Sequence, residues 1–540
     1  MAGDSARTTR TTVSGLELKS HYGPGDASGN ADEAPGQAPF GRGIFAEGYR
    51  RQPWMESLAC GYGLPEETNQ RIRYLTSVGQ AGYAGRTSIN LVFDRPTFCG
   101  LDSDDGRSAG EVGNVGVAID SLDDMRRLFA GFDLDELNVG LIVDRAGPFI
   151  MAMYVALADE QGVPREQLRG IVTNNPLTDF FCSKTPLFPP ERCLELLVDC
   201  IAFCAGQVPH FNYCRINGYN TRELGSSAIQ EVGFNLAIAR TIIEACSEKG
   251  LNPADLVGSI NFQFSQGRDF FEDICKIRAA RRLWTRMLMD DYGVSDEKAC
   301  RMKIHMQTAG SSLTAQEPLN NIARIGLQVM SAALAGSQSM HIASYDEALG
   351  IPTEEAARVA IKTSKIVMHE SGACDVADPL GGSYYVEALT GEIESHVLAE
   401  MDRVEEFGGV LKALDSGYFE QQIADTAYAL QRQYDAGERV VVGVNRYREE
   451  EAVGVGEIFR PDPEISQTAV ERVRALKQGR DQAGAQAAIA AIEEAAAAGR
   501  PLMPCYVAAA KADVTLGEMV AAVERVVGNF QFAAITAAAV

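Results

Sequence analysis

A chain of 540 residues with 46% hydrophobic and 23% charged positions has the balance of a large globular protein, not of a disordered or fibrous one. Its 73 acidic against 49 basic residues give a formal net charge of −24, which repels nucleic-acid backbones and anionic membrane surfaces and so excludes both as expected partners. No apolar run approaches the roughly 20 residues of a bilayer span, and the opening MAGDSARTTRTTVSG lacks the apolar core of a secretory signal, so a cytoplasmic location is expected.

Residues 1–37 are rich in Gly, Ser, Thr, Asp and Ala and are expected to form a flexible arm. From about Ile89 to Glu387, short β-branched or apolar runs alternate with longer amphipathic stretches. The runs are INLVFDRP (89–96), LNVGLIVDRAG (137–147), LRGIVTNNP (168–176), FNYCRINGYN (211–220), SINFQFSQG (259–267), KIHMQTAGSS (303–312), SMHIASYDEA (339–348) and, weaker, ACDVADPLGGSYYVE (373–387). Eight such units predict an α/β fold, a (β/α)8 TIM barrel over residues 38–400. A doubly wound open sheet is the alternative, but neither G-x-G-x-x-G nor G-x-x-x-x-G-K-[ST] stands at the first strand-to-helix turn. A helical segment and linker follow at 401–461, and Ala-rich charged helices at 462–540 predict a C-terminal extension that packs on the barrel or on a partner subunit.

Chemistry in such a barrel sits where strands end and loops begin. Those ends carry Arg95, Thr173, Asn174, Asn175, Asn217, Asn220, Gln263, Gln266, Gln307, Thr308, Ser344 and Glu347: mostly amides and hydroxyls, with few titratable groups. None of the six histidines has partners at metal-ligand spacing, and His305 and His341 read as buried, hydrogen-bonded strand residues. The 12 scattered cysteines read as small core hydrophobes, and no metal site is expected. No G-x-S-x-G elbow occurs; a glycosidase-type pair drawn from Asp94, Asp102, Asp104, Glu223 and Glu347 stays open. An amide-lined barrel suits a reaction whose difficult step a cofactor supplies.

The segments PFGRGIFAEGYRRQPW (39–54), FDRPTFCGLDSDD (93–105), GVAIDSLDDM (116–125), KIRAARRLW (276–284), QTAGSSLTAQEP (307–318), QSMHIASYDEA (338–348), DPLGGSYYVE (378–387) and VGVNRY (442–447) resemble the adenosylcobalamin-dependent acyl-CoA mutases. The resemblance runs collinearly from about residue 38 to the C-terminus. It implies a substrate-binding (β/α)8 barrel threaded by an acyl-CoA, and a radical 1,2-rearrangement begun by cobalt–carbon homolysis of adenosylcobalamin. The family's cobalt-ligating D-x-H-x-x-G is absent, since no histidine has Asp two residues before it. The resemblance therefore implies a separate small B12-binding subunit in a heterodimer or heterotetramer. It assigns the cofactor side to Glu223, Gln307, Thr308, Gln338 and Glu347, with Arg95 in place of a leucine that sits over the corrin, and the catalytic positions to Asn220 and Gln307.

The departures bear on the substrate. Where methylmalonyl-CoA mutases grip a free carboxylate with tyrosine and arginine, this chain aligns Ala59 and Ser183. Asn220 aligns with a histidine that donates to the thioester carbonyl, Thr173 with a glutamine beside it, and Gln263 with an aromatic wall of the substrate pocket. Positions that contact the CoA nucleotide align with Ser259 and Asn261. A carboxylate without a cation is costly to bury, so the expected substrate lacks one, as isobutyryl- or hydroxyacyl-CoA does. The alternatives are a methylmalonyl-CoA mutase with an atypical pocket, and a catalytically silent scaffold subunit; the retained Glu223, Gln307 and Glu347 speak against the latter.

Overall fold

A computed structural model of the chain describes residues 10–27, 33–80, 82, 85–449, 462 and 464–530. Arg10–Thr11 with Glu17–Leu18 and Tyr62–Gly63 with Gly116–Val117 form separate pairs; two five-stranded sheets hold the other strands. One runs Cys214–Asn217, Ile260–Gln266, Lys303–Thr308, Ser339–His341 and Met55–Glu56, every neighbouring pair parallel. The other runs Phe211–Asn212, Gly170–Val172, Leu137–Ile142, Thr87–Val92 and Ala59–Cys60. Parallel neighbours need crossovers, and helices supply them: Ala228–Glu248, Phe270–Arg286 and Asn320–Leu334 follow successive strands of the first sheet. The expected mixture of parallel strands and helices is present.

The run at 373–387 was expected as a strand and is not one. Residues 378–383 form a turn, and Ser383 caps a helix over Tyr384–Glu406. Asp378, at φ 45°, accepts from Arg42 Nε at 2.6 Å and Arg278 Nη1 at 2.7 Å, which fixes the turn. Two short strands that periodicity missed lie earlier, Met55–Glu56 at the edge of the first sheet and Ala59–Cys60 at the edge of the second.

The chain divides into two compact units. The first comprises Met1–Ala59, Ile72–Asn90 and Cys214–Arg460. Its sheet has two contrasting faces, because side chains alternate along a strand. Ile260, Phe262, Phe264, Ile304, Met306 and Met340 share one face, where Phe262 meets Trp284 of the Phe270–Arg286 helix edge to face, 4.9 Å between ring centroids. The other face carries Asn261, Gln263, Ser265, His305, Gln307, Ser339 and His341. The KIRAARRLW segment is structural: Arg281 donates to the carbonyls of Phe40, Gly41 and Ala335, while Arg278 pairs with Asp378 and Glu387. Within the arm expected over 1–37, Arg10–Thr11 pairs antiparallel with Glu17–Leu18. The hairpin tip donates from Val13 N to Asp269 Oδ2 at 2.9 Å and from Ser14 N to Glu272 Oε1 at 3.0 Å.

The second unit comprises Cys60–Arg71, Leu91–Tyr213 and Pro461–Val540. Its core is the helix Gly147–Gln161, buried from Gly147 to Ala158. The C-terminal helices Glu464–Gly479, Gln482–Ala497, Met503–Lys511 and Leu516–Val527 belong to this unit, and Tyr506 packs on Phe149 at 4.6 Å. Asp102 anchors them: it accepts from Thr515 Oγ1 at 2.6 Å and Gly517 N at 2.7 Å, and lies 2.9 Å from Lys477 Nζ. None of the 12 cysteines is in a disulfide, and no helix among the described residues is long and apolar enough to cross a membrane.

Candidate active site

In the first unit the polar face of the sheet leads into a cluster at the carboxyl ends of its strands. Arg215 Nη1 donates to Gln263 Oε1 at 3.3 Å, and Gln263 Nε2 donates to Gln307 Oε1 at 2.7 Å. Neighbouring strands hold these groups in register, Gln263 opposite His305 and Gln307 opposite His341. His305 is buried with Nδ1 2.7 Å from Ser339 Oγ; burial, aided by the Arg215 charge, keeps the ring neutral. His341 Nδ1 accepts from Ala59 N at 2.8 Å, while Ala59 itself is exposed.

Just beyond, two carboxylates converge on Gly310. Glu223 ends the short helix Gly218–Glu223 and accepts from Ser311 N at 2.7 Å and Ser311 Oγ at 3.1 Å. A Cβ added at Gly310 would lie 2.9 Å from Glu347 Oε1, 3.3 Å from Glu223 Oε2 and 3.4 Å from Tyr219 Oη. Burial, reinforced by the neighbouring Glu223 charge, pushes the Glu347 carboxyl up to about 7. Burial also raises Glu223, and it lifts the Tyr219 phenol well above its ordinary range, with both carboxylates adding to the effect. Near neutral pH this set can both accept from and donate to hydroxyl groups.

Other expected residues have settled roles. Thr308 Oγ1 accepts from Ala343 N at 2.7 Å, joining adjacent strand ends. Gln338 sits at the opposite, amino end of its strand, its amide engaged by Ile304 N and Gly336 O. Asn220 is half-buried, and its side-chain amide makes no hydrogen bond among the described residues.

In the second unit Thr173 Oγ1 accepts from Val143 N at 2.9 Å and Asp144 N at 2.8 Å, so this hydroxyl ties two strand ends together. Ser183 donates to Asp179 Oδ1 at 2.9 Å and accepts from Arg145 Nη1 at 2.6 Å. Arg95 is exposed. Asp94 and Asp102, possible members of a glycosidase-type pair, are structural: Asp94 accepts from Thr97 N and Gly113 N. No cluster of potential metal ligands occurs among the described residues. Tyr219, Gly310, Ser311, Arg145 and Asp179 escaped the sequence reading, because nothing in local spacing marks a glycine over which distant carboxylates meet or an arginine that a later loop enfolds.

The family model for methylmalonyl-CoA mutase matches residues 11–529. The chain belongs to the methylmalonyl-CoA mutase family. Within that family it is 37% identical to the methylmalonyl-CoA mutase of Cereibacter sphaeroides, over 96% of this chain and 73% of the relative. It is 36% identical to the 2-hydroxyisobutanoyl-CoA mutase large subunit of Aquincola tertiaricarbonis, over 92% of this chain and 88% of that subunit. The Escherichia coli methylmalonyl-CoA mutase is 36% identical over 95% of this chain and 71% of the relative. Mutases are isomerases, and the methylmalonyl-CoA mutase family is adenosylcobalamin-dependent.

Proposed function

We propose that this chain is the large, substrate-binding subunit of an adenosylcobalamin-dependent acyl-CoA mutase that rearranges the carbon skeleton of a substrate without a free carboxylate, of isobutyryl- or hydroxyacyl-CoA type. The observation that carries the reading is the convergence of Glu223, Glu347 and Tyr219 on Gly310, next to the fixed amides of Gln263 and Gln307. The group fits. A glycine without a Cβ leaves room above the turn, and two carboxylates offer acceptors to the hydroxyls of an adenosyl ribose. When bound, adenosylcobalamin supplies the carbon radical that the rearrangement needs, which no side chain of this chain provides.

This chain's residues bind, orient and exclude water. Glu223 and Glu347 hold hydroxyls, and Glu223 is itself held by Ser311. Gln307, fixed by Gln263, presents an amide of defined orientation at the strand end. The unengaged amide of Asn220 donates to the thioester carbonyl; an amide cannot become cationic, so polarisation there is by hydrogen bond alone. An acyl-CoA chain is accommodated along the polar sheet face, where Asn261 Oδ1, Ser265 Oγ and His305 Nε2 are buried without hydrogen-bond partners among the described residues. Neither Ala59 nor Ser183 is cationic, which supports an acyl group without a carboxylate.

The reading takes the two sheets as one (β/α)8 barrel. Strand order runs with the chain in the first sheet except for Met55–Glu56 and against it in the second; only Tyr213 separates Phe211–Asn212 from Cys214–Asn217, and only Ser57 and Leu58 separate Met55–Glu56 from Ala59–Cys60, so the ten short strands reduce to eight. It assigns the cobalt ligand to a separate small subunit, supported by the similarity to a relative that is itself named a large subunit and is covered over 88% of its length. The test is isomerisation of acyl-CoAs by the chain with adenosylcobalamin and a cobalamin-binding subunit, comparing Gln307→Ala and Glu347→Ala with the parent. Loss of turnover in both is expected; unchanged turnover overturns the assignment.

A further inference from the structure

The carboxyl ends of the strands in the second unit carry a charged group for which the roles above have no use. Arg145 follows the strand Leu137–Ile142 by three residues and is 5% exposed. Its Nε donates to Phe98 O at 2.8 Å; its Nη1 donates to Ser183 Oγ at 2.6 Å and lies 2.9 Å from Asp179 Oδ1. Nη2 has no hydrogen-bond partner among the described residues. Nη2 is not among the buried unpartnered atoms, so this arm stays open to an acceptor oxygen from outside the fold, whereas Asp179 Oδ2 is buried without a hydrogen-bond partner among the described residues.

A second polar group in this unit lacks partners altogether. Asn175 follows the strand Gly170–Val172 by three residues and is fully buried, yet neither Oδ1 nor Nδ2 finds a partner among the described residues. The residues preceding these two, Asp144 and Asn174, have left-handed φ values of 36° and 22°, and Lys184, after Ser183, has 53°. Non-glycine residues held in this region store strain that the surrounding structure must sustain. The two turns press together: a Cβ at Gly147 would lie 3.1 Å from Asn174 Cα. Strained backbone thus fixes Arg145 and Asn175 just past neighbouring strand ends, and Ser183 in the turn that follows.

We propose that Arg145 selects the acyl group of the substrate, its unfilled Nη2 donating to a hydroxyl oxygen on the acyl chain while Asp179 and Ser183 hold the guanidinium in place. This rests on the acyl-CoA reading above. Asp179 matches the charge of Arg145, so the pair offers a directed donor without a net cation, which suits a hydroxyl and gives a carboxylate no counter-charge. Arg95 acts electrostatically on Asp179 but is exposed, where water screens it. Asn175, able to donate and accept, completes a polar, uncharged lining.

The test is calorimetric titration of the full-length chain, without cofactor, with 2-hydroxyisobutyryl-CoA, isobutyryl-CoA, methylmalonyl-CoA and CoA alone. The parent is expected to bind the hydroxylated thioester at least about tenfold more tightly than isobutyryl-CoA, the worth of one good hydrogen bond. In the charge-neutral double variant Arg145→Met with Asp179→Asn, that ratio falls to about one while isobutyryl-CoA affinity stays within about twofold, since only the hydroxyl contact is lost. Arg145→Lys keeps a cation beside Asp179 but loses the fork, so it tests the point in a chain whose ion pair is preserved; its ratio is expected to fall several-fold. An unchanged ratio in either folded variant, or a parent that prefers methylmalonyl-CoA, overturns the role of Arg145. Failure of every thioester and of CoA to bind overturns the acyl-CoA reading itself.

Discussion

Glu223 and Glu347 reach the same side of Gly310 from different parts of the chain, one from the end of a short helix and one from the loop after Ser339–His341. Only the missing Cβ permits this, since one placed there would lie 2.9 Å from Glu347 Oε1. Gly310→Ala must therefore displace the Glu347 carboxylate. Turnover of the reconstituted enzyme is expected to fall at least about tenfold, because small misplacements of positioning groups cost rate steeply. The melting temperature should move by only about 1 °C, what about 1 kcal/mol does in a chain of this size. Full turnover in the variant would contradict the arrangement.

Glu347 gives the chain a pH signature. Its carboxyl is pushed up to about 7 from an ordinary value of 4.5 by burial and then by Glu223. Between those two values the folded chain holds a proton that the unfolded chain has released, so this group's contribution to stability falls as pH rises through that window and is constant above it. Glu347→Gln removes the effect. The variant is expected to match the parent near pH 4.5 and to exceed it in denaturant midpoint at pH 8; a gap that widens toward low pH would refute the assignment.

Asp102 ties the C-terminal helices to the second unit through Thr515, Gly517 and Lys477. Asp102→Ala leaves those donors unmatched in a buried place and is expected to cost about 3 kcal/mol. Lys477→Ala should cost less, about 1 kcal/mol, because the lysine is partly exposed and Thr515 and Gly517 still satisfy the carboxylate. Denaturant unfolding of the two variants checks the order.

Asp378 joins Arg42 and Arg278 from a left-handed backbone position, φ 45°. Asp378→Asn keeps an acceptor and tolerates that conformation. Asp378→Ala removes both acceptor oxygens from a guanidinium that is buried at Arg278, and is expected to cost at least 2 kcal/mol more than the asparagine variant. Equal midpoints in chemical denaturation would contradict this account of the turn.

The strands were legible where apolar runs were long enough to show a pattern, as at Leu137–Ile142 or Ile260–Gln266. The short strands Met55–Glu56 and Ala59–Cys60 were not, because two residues leave no periodicity to detect. DPLGGSYYVE misled in the opposite direction: its aromatic residues open a helix, and its aspartate serves two arginines. Gln263, Gln307, Glu223 and Glu347 could be picked out as polar residues at strand ends. That Thr173 spends its hydroxyl on Val143 N and Asp144 N, and that Arg145 lies on Ser183, are facts of long-range packing that sequence spacing does not encode.

The central claim is that the Gly310 cluster and its amide neighbours serve an acyl-CoA rearrangement. The most direct measurement is chromatographic and mass-spectrometric analysis of CoA thioesters after anaerobic incubation of the chain with adenosylcobalamin and a cobalamin-binding subunit of this family, offering isobutyryl-, 3-hydroxybutyryl-, 2-hydroxyisobutyryl-, pivaloyl- and methylmalonyl-CoA in turn. Conversion of a carboxylate-free thioester to its skeletal isomer, lost in Gln307→Ala and Glu347→Ala, is the predicted result. No isomerisation of any of them in a stably assembled complex, or isomerisation indifferent to both substitutions, would contradict it.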